Sequence, residues 1–330
     1  MTSGTAARAA ETDSRASLAD ARSSAAEPAI DTTNLVKRYG AVTALADLSL
    51  TVSRGAVLGF LGPNGAGKTT AVKLLVGLTR PSGGSGKVLG APLGDRVARK
   101  RIGYLPELFR YQDWLSAREV LQLHCDLADI SKARQHDEIE AALDLVGLVG
   151  RGDHKVGTFS KGMQQRLGLG VALLGEPELI FLDEPTSALD PIGRHDVREV
   201  IRGLKQRGAT VFLNSHLLSE VEQVCDSVAV VDRGRVLASG GLAEILGAAH
   251  TVRVRAAALT GLAEAKLRQQ FGAVAIEGDW YTFENTAAER VSDLVAEVVS
   301  LGGRVSAVET RSGTLEDRFL QLLRDEGSGV

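Results

Sequence analysis

GFLGPNGAGKTTAVKLL, residues Gly59 to Leu75, is the stretch on which the fold prediction rests. Two glycines separated by four residues lead directly into Lys68 and Thr69, which is the spacing of a phosphate-binding loop. The apolar run Ala56–Leu61 before the loop predicts a buried strand, and Ala71–Leu75 after it contains good helix formers. Such a loop joins a strand to a helix, so the sequence context fits the motif.

Each residue type in this loop has a chemical reason. Backbone N–H groups and the N-terminus of the following helix surround the phosphates of a nucleotide. Lys68 would bridge the β- and γ-phosphate oxygens, and the Thr69 hydroxyl would bind Mg²⁺. A chance glycine-rich turn is the alternative, but it does not account for the lysine or for the strand–helix context. The predicted nucleotide-binding residues of the loop are Gly62, Pro63, Asn64, Gly65, Ala66, Gly67, Lys68, Thr69 and Thr70.

A second element, ELIFLDEPTSALDP, covers residues Glu178 to Pro191. The apolar run Leu179–Leu182 predicts a strand, and Asp183 and Glu184 follow at its carboxyl end, where α/β sheets bind ligands. Asp183 fits the carboxylate that holds Mg²⁺ in phosphate-loop ATPases. Glu184 is placed to act as a general base on an attacking water. A solvated acidic turn is the alternative, and it leaves the pairing with a phosphate loop without a reason.

A third element, TFSKGMQQRLGLGVALL, covers residues Thr158 to Leu174. Ser160 would cap a long helix, and Gly162 lies in its first turn. A hydroxyl together with the free N–H groups of a helix N-terminus makes an anion site. An ordinary helix cap without a ligand is the alternative. A chain that already has one phosphate site needs a reason for a second one.

Together these three elements resemble the ATP-binding cassette (ABC) ATPases. The usual signature of that family is Leu-Ser-Gly-Gly-Gln, which stands here as Phe159–Met163. Ser160 and the second glycine, Gly162, are kept, whereas Lys161 and Met163 depart from the family wording. The resemblance implies that this segment caps the γ-phosphate of an ATP held by another subunit, so that two subunits enclose two ATP molecules.

Three further positions match family landmarks. The resemblance implies that Tyr39 stacks on the adenine ring, with simple packing at a strand end as the alternative. Ser187–Asp190 matches the loop that contacts the other subunit, and it assigns Asp190 to the nucleotide site. His216 follows the predicted strand Thr210–Leu213. It matches the histidine that contacts the γ-phosphate, and so we count it with Glu184 among the catalytic residues.

Glu107 is a departure from the family pattern. The family usually has a glutamine at this place, where it reaches Mg²⁺ and the attacking water. A carboxylate can still accept a hydrogen bond or bind Mg²⁺, so we predict Glu107 as a catalytic and metal-binding residue that tolerates replacement by glutamine. The Leu-Pro-Glu and Ser-Lys-Gly-Met wordings resemble the ATPases of ABC-2 type exporters.

Phe109, Tyr111 and Trp114 follow closely in a chain with only 4% aromatic residues. In the family this region forms the groove that accepts a coupling helix from the membrane subunit, and aromatic anchors suit such a contact. The equal alternative is that these side chains form the core of the helical subdomain.

The order of apolar runs and helical patterns predicts an α/β fold. We expect a phosphate-loop NTPase of the ABC type, with a RecA-like core sheet, an antiparallel β subdomain and a helical subdomain. Residues 1–28 are predicted to be a disordered tail, with a transit peptide as the alternative. Residues 29–248 would form the nucleotide-binding domain, with the helical subdomain at about 108–176. Residues 249–330 would form a small C-terminal α+β domain, ferredoxin-like, that stabilises or regulates the dimer.

The composition excludes some functions. The 330 residues carry a net charge of −3 and have a pI near 6.1, whereas nucleic-acid-binding domains are usually basic. No run of about 18 apolar residues is present, which is the length of a membrane-spanning helix. Cys125 and Cys225 are far apart in sequence, so we expect reduced thiols rather than a disulfide or a metal site.

The resemblance also implies the partners. We expect ATP and Mg²⁺ as ligands, a second copy of the chain as dimer partner, separate membrane-spanning permease subunits, and no nucleic acid. The protein would lie in the cytoplasm, peripheral on the inner face of the cell membrane. The main alternative is a soluble ABC-type ATPase without a transporter, and a phosphate-loop kinase is a third possibility. The kinase reading leaves Ser160 and His216 unexplained.

Overall fold

The computed structural model describes residues 27–246, 250–272, 274–286, 290–312 and 314–327. The predicted disordered tail lies outside these residues except for Glu27 and Pro28. The strands are β1 (Ile30–Tyr39), β2 (Val42–Val52), β3 (Val57–Leu61), β4 (Gly83–Val88), β5 (Ala91–Pro92), β6 (Ile102–Leu105), β7 (Leu179–Asp183), β8 (Thr210–Asn214), β9 (Ser227–Asp232), β10 (Arg235–Gly241), β11 (His250–Ala257), β12 (Val274–Glu277), β13 (Trp280–Thr286) and β14 (Arg304–Ser312). The helices are α1 (Lys68–Leu75), α2 (Arg96–Arg99), α3 (Ala117–Leu127), α4 (Lys132–Leu145), α5 (Lys161–Leu173), α6 (Pro191–Gln206), α7 (Leu218–Val224), α8 (Leu242–Leu246), α9 (Gly261–Phe271), α10 (Val291–Ser300) and α11 (Leu315–Gly327).

One mixed sheet of ten strands has the order β5-β4-β1-β2-β10-β9-β3-β8-β7-β6. The strands from β9 to β6 in this order are all parallel to one another. The strands β1, β2, β4 and β5 pair antiparallel at the other end. The two parts meet where β10, antiparallel to β9, pairs in parallel with β2 through Arg235 and Asp47. This is the predicted combination of a RecA-like core sheet with an antiparallel β subdomain.

The core strands are mostly apolar because helices cover both faces of the parallel part. All residues of β3, β7 and β8 are buried, which is typical of parallel strands in α/β domains. Leu58 and Phe60 of β3 belong to the cluster that contains α1, whereas Val57 and Leu61 belong to the cluster that contains α6 and α7. Alternate residues of one strand therefore hold opposite helix layers in place.

Between β6 and β7 the structure has α3, α4 and α5, in the segment where the sequence predicts a helical subdomain. The three helices contact one another. Ser116 and Glu119 form a capping box at the start of α3, each accepting a hydrogen bond from the backbone of the other. Cys125 of α3 and Leu143 of α4 are buried in the same cluster as the core strands, so the helical segment shares the core of the sheet.

The C-terminal unit has its own antiparallel sheet, in the order β12-β13-β11-β14. Val252 and Val254 of β11 pack with Leu267 of α9 and Leu294 of α10 in a separate apolar cluster. Along the chain these elements follow the order β-α-β-β-α-β, which is the ferredoxin-like arrangement that the sequence predicts.

The last helix, α11, packs on α7 and α8 of the first unit. Leu315 is fully buried in a cluster that includes Val221 of α7 and Ile245 of α8. The backbone N–H of Leu315 also donates to the carboxylate of Glu222 on α7. The sequence analysis instead assigns this helix to the C-terminal domain of residues 249–330. An amphipathic pattern indicates that a helix covers an apolar surface, but it does not specify which surface.

Candidate nucleotide site

Four neighbouring parallel strands bring the predicted site residues to one edge of the sheet. The phosphate loop follows β3, and His216 follows β8. Asp183 is the last residue of β7 and Glu184 comes next, whereas Glu107 follows β6. The carboxyl ends of parallel strands lie on the same side, so the four loops meet there. The sequence separates the phosphate loop and His216 by about 150 residues, and the sheet order brings them together.

Two glycines of the loop are required by its geometry. Gly67 precedes α1 with φ of +102°, and a Cβ atom there would lie 2.5 Å from the carbonyl oxygen of Ala44. A Cβ atom on Gly62 would lie 2.3 Å from the carbonyl oxygen of Val231. Both positions therefore exclude side chains, which keeps the loop close to the neighbouring backbone.

Lys68 begins α1 and turns its side chain back over the loop. Its Nζ donates to the carbonyl oxygens of Gly62 at 2.7 Å and of Pro63 at 3.2 Å. Burial lowers the pKa of Lys68, and the negative charges of Glu184, Asp183 and then Glu107 partly offset this. The ammonium group thus lies among the three carboxylates that the sequence predicts for the site.

The other loop residues differ in exposure. Asn64, Gly65 and Thr69 are exposed, and Thr70 is half-buried. Ala66 is buried, and its backbone pairs with Pro63 and with Gly234. The buried side of the loop is therefore held by backbone hydrogen bonds, whereas the side of Asn64, Gly65 and Thr69 is open to solvent.

Asp183 is buried at the end of β7, and burial raises the pKa of its carboxyl group. Its Oδ1 accepts a hydrogen bond from the Asn214 amide at 2.5 Å, which opposes the shift. The nearby charge of Glu107 raises the pKa further. The backbone N–H of Glu107 also donates to this carboxylate and likewise opposes the shift. Carboxylate oxygens suit Mg²⁺ that is bound together with phosphates.

Glu184 and His216 form a direct side-chain contact at the site. Nδ1 of His216 lies 2.7 Å from Oε2 of Glu184. Burial raises the pKa of Glu184, and the contact with His216 lowers it in opposition. The structure thus brings into contact two of the three residues that the sequence predicts as catalytic, although 32 positions separate them.

The backbone of Glu184 is in the left-handed region, with φ of +54°. This conformation is unfavourable for a residue with a side chain, by about 1–3 kcal/mol, and it persists only where neighbours hold it. The N–H of Glu184 donates to the carbonyl of Asn214 at 2.9 Å. Its own carbonyl accepts from the side chain of Gln165 at 3.3 Å and from the N–H of Ser187 at 3.3 Å.

Glu107 is exposed and lies close enough to influence the pKa values of Lys68, Asp183 and Tyr104. Burial, aided by Asp183 and Glu107, raises the pKa of Tyr104 to about 12. Among the described residues, no group of three acidic, histidine or cysteine side chains could hold a metal ion without help from a ligand. The donors that fit Mg²⁺ here would act together with phosphate oxygens.

The Ser160 segment has the predicted geometry of a capped helix. Ser160 precedes α5, and its Oγ accepts a hydrogen bond from the N–H of Met163 at 3.2 Å. Ser160 and Lys161 are exposed, and Gly162 is half-buried. They line a surface cavity of about 520 Å³ together with Asp190, and no residue of the phosphate loop lines it.

Tyr39 and Asp190 already have partners within the chain. Tyr39 ends β1 with 47% of its surface exposed, and the Lys37 ammonium lies 4.8 Å from its ring. Asp190 caps α6 and accepts a hydrogen bond from the N–H of Gly193 at 2.8 Å. Neither contact tests the predicted role at the nucleotide.

The aromatic segment after Glu107 is divided between core and surface. Phe109 and Tyr111 pack together with ring centres 5.3 Å apart, and both contact the main core cluster. Trp114, in contrast, is 71% exposed. Phe109 and Tyr111 therefore belong with the core alternative, whereas the Trp114 side chain lies at the surface.

Sequence reasoning missed three buried polar residues around Glu184. Asn214 contacts both Asp183 and the backbone of Glu184, and Gln165 holds the Glu184 carbonyl. Glu220 on α7 accepts from the Thr186 hydroxyl at 2.8 Å and pairs with arginines of α6. A polar residue on the buried face of a helix is the signal that could have identified Gln165 and Glu220.

In the described part of the chain, no helix is long and apolar enough to cross a membrane.

Residues 45–187 match the ABC transporter family. An ABC transporter ATP-binding protein of Synechocystis sp. is 43% identical over 288 residues, which cover 87% of this chain and 80% of the relative. The Nod factor export ATP-binding protein I of Burkholderia lata is 39% identical over 213 residues, which cover 64% and 70%. A solved structure of the ATP-binding subunit of an ABC transporter is 29% identical with a TM-score of 0.60, covering 82% of this chain and 99% of its own. The chain therefore belongs to the ATP-binding proteins of the ABC transporter family.

Proposed function

We propose that this chain hydrolyses ATP as the nucleotide-binding subunit of an ABC-2 type exporter and works as a homodimer. The observation that carries the proposal is the contact of 2.7 Å between His216 and Glu184, next to Lys68 and at the edge where four strand ends meet. This contact pairs a carboxylate of raised pKa with an imidazole beside the phosphate loop, as a general base and its orienting partner require.

The phosphate loop binds the nucleotide in this proposal. Its N–H groups and the start of α1 surround the phosphates, and Lys68 moves from the loop carbonyls to the β- and γ-phosphate oxygens. Thr69 and Asp183, with Glu107 nearby, would hold Mg²⁺, which neutralises phosphate charge when it is bound. Tyr39 stacks on the adenine ring.

Hydrolysis depends on the pair at the end of β7 and β8. Glu184 accepts a proton from the attacking water, because its buried carboxylate is a stronger base than an exposed one. His216 orients Glu184 and contacts the γ-phosphate. Such phosphoryl transfer relies mainly on positioning and on electrostatic stabilisation.

The second copy of the chain completes each site. Ser160 and Gly162 at the exposed start of α5 contact the γ-phosphate held by the partner subunit's phosphate loop. Asp190 lines the same cavity and belongs to the loop that faces the partner. A helix N-terminus that is open to solvent is suited to an incoming phosphate.

Membrane subunits are the other partners. A relative 39% identical to this chain is named for Nod factor export, and the described chain has no spanning helix of its own. We place the protein in the cytoplasm, on the inner face of the cell membrane, with Trp114 as an anchor for a coupling helix of the permease.

Trp114→Ala should reduce transport in a reconstituted complex and leave basal ATP hydrolysis intact, whereas equal loss of both would contradict the anchor role.

Glu184→Gln provides the central test. The variant should bind ATP with Mg²⁺ normally, hydrolyse it poorly and elute as a dimer from a gel-filtration column with ATP present. The matched control is Glu199→Gln, an exposed carboxylate on α6 that pairs with Arg202, and it should turn over ATP like the wild type. A monomeric Glu184→Gln with bound ATP, or one with normal turnover, would refute the proposed function.

A further inference from the structure

Gln165 is a buried polar residue that the proposed reaction does not yet use. It lies in the second turn of α5 with 5% of its surface exposed. Leu169 and Ala172, one and two turns further along the same side of the helix, are buried apolar residues. A buried amide is unfavourable unless it forms hydrogen bonds, so its partner indicates why the residue is there.

That partner is the backbone of the proposed general base. The Gln165 amide donates to the carbonyl oxygen of Glu184 at 3.3 Å. Glu184 has a φ of +54°, which only surrounding contacts can maintain. The N–H of Ser187 reaches the same carbonyl, and it comes from the loop that follows Glu184. Gln165 is therefore the contact to this carbonyl that comes from outside the loop.

The position of Gln165 on α5 gives this contact a second meaning. Ser160 caps the same helix five residues earlier, which is about 7.5 Å along the helix axis. The start of α5 is exposed at Ser160, whereas Gln165 reaches the interior. The start of α5 thus connects two places. One is the exposed surface at Ser160, which in the proposed dimer faces the partner subunit's nucleotide, and the other is Glu184, the proposed general base of the same subunit as α5.

We propose that Gln165 is a positioning residue that fixes the backbone of Glu184 to the signature helix α5. When the partner subunit's ATP binds at Ser160, Gln165 orients Glu184 in the subunit that contains Ser160. Its hydrogen bond goes to the backbone of Glu184 and not to the phosphate loop, so we expect it to act on the catalytic step and not on ATP binding. This inference rests on the proposed function.

Gln165→Met tests the inference, because methionine keeps the length of the side chain and its burial but removes the donor. We expect kcat for ATP hydrolysis to fall by about 100-fold, the size of effect that a small misplacement of a reacting group produces. KM and the dissociation constant for ATP should stay within about twofold of wild type. Gln135→Met is the burial-matched control: Gln135 is 3% exposed on α4 and donates to the Ile130 carbonyl at 2.8 Å. It should lower the melting temperature without changing kcat.

A double-mutant cycle separates positioning from general structural damage. Adding Gln165→Met to Glu184→Gln should leave the residual rate unchanged, because a base that is absent cannot be misplaced. If Gln165→Met does not fold, Gln165→Leu, which is also apolar and has no donor, serves in the same measurements. A kcat within about twofold of wild type, a proportional rise in KM, or additive losses in the double variant would each overturn the inference. If Glu184→Gln is inactive and Gln165→Met is not, this inference alone fails; if Glu184→Gln hydrolyses ATP normally, the proposed function fails with it.

Discussion

The N-termini of helices α1 and α5, here called their tips, both suit a phosphate, but their surroundings differ. The tip of α1 follows Gly67 and has no side-chain cap, and Lys68 lies among the carboxylates of the site. The tip of α5 has Ser160 as a cap and is exposed together with Lys161. One tip is thus surrounded by catalytic groups of its own chain, whereas the other has a hydroxyl and free N–H groups facing outward.

The difference indicates that each tip performs one half of the work. The α1 tip has what nucleotide binding and hydrolysis require within one chain. The α5 tip lines its cavity without any residue of the phosphate loop, so a nucleotide there would have to come with another subunit. Variants at the two tips should therefore fail in different measurements, and this contrast can be tested directly.

The largest effect is expected at the α1 tip. Lys68→Ala removes charge-assisted hydrogen bonds to phosphate, which are individually worth about 1.5–3 kcal/mol, so the dissociation constant for ATP should rise about 10- to 150-fold. Isothermal titration calorimetry measures this. Lys73→Ala, an exposed lysine on the same helix, is the control and should bind ATP normally. Equal affinities of the two variants would remove Lys68 from the site.

The second effect separates the α5 tip from the α1 tip. Ser160→Asp keeps a side chain that can cap the helix but places a negative charge against the partner's γ-phosphate. In the Glu184→Gln background, ATP binding should persist, and the ATP-dependent dimer should be lost by gel filtration with light scattering. Ser131→Asp, at the exposed cap position of α4, should leave the dimer intact. A stable dimer with Ser160→Asp would mean that the α5 tip does not meet the partner's phosphate.

The comparison also shows what could be predicted from the sequence. Both tips could be predicted because each depends on residues close together in sequence, a glycine-rich loop before α1 and a serine cap before α5. The contact from Gln165 to Glu184 and the packing of α11 on α7 join distant segments, and side-chain patterns do not specify such pairs. The positive φ of Glu184 has no sequence signal either, because it arises from the surrounding hydrogen bonds.

A third effect uses pH, because Asp183 and Glu184 on the α1 side are carboxylates of raised pKa. Glu184 must lose its proton to act as a base, so kcat should fall as the pH drops through the raised pKa of Glu184. Protonated Glu184 resembles glutamine, and wild-type protein at acid pH should therefore retain ATP in a dimer with little hydrolysis. Rates and elution volumes measured at each pH on one protein sample check this. Parallel loss of dimer and rate would show that the pH acts elsewhere.

The same shift sets the sign of the stability effect. A carboxyl group whose pKa is raised in the folded state contributes stability that is fully present below its ordinary pKa and is lost as the pH rises through the raised value. Glu184→Gln removes that loss, so its melting temperature should exceed that of the wild type at pH 8 and approach it near pH 4. A Gln variant that is less stable than the wild type at pH 8 would indicate that the His216 contact outweighs the effect of burial.

The smallest effect is expected at Glu107, the exposed carboxylate on the α1 side. Its charge acts on Asp183 and Lys68 in opposite senses, because it disfavours ionised Asp183 and favours charged Lys68. Replacement by glutamine removes both influences and keeps an oxygen that can accept a hydrogen bond or bind Mg²⁺. Since exposed charges contribute little in water, the rate of ATP hydrolysis by Glu107→Gln should stay within about fivefold of wild type, and the difference should shrink as salt is added. Glu107→Ala, which removes the oxygen as well, should lose more activity. If Glu107→Gln abolished hydrolysis and Glu107→Ala did no worse, the charge itself would be essential, and the α1 tip would depend on three carboxylates rather than on two.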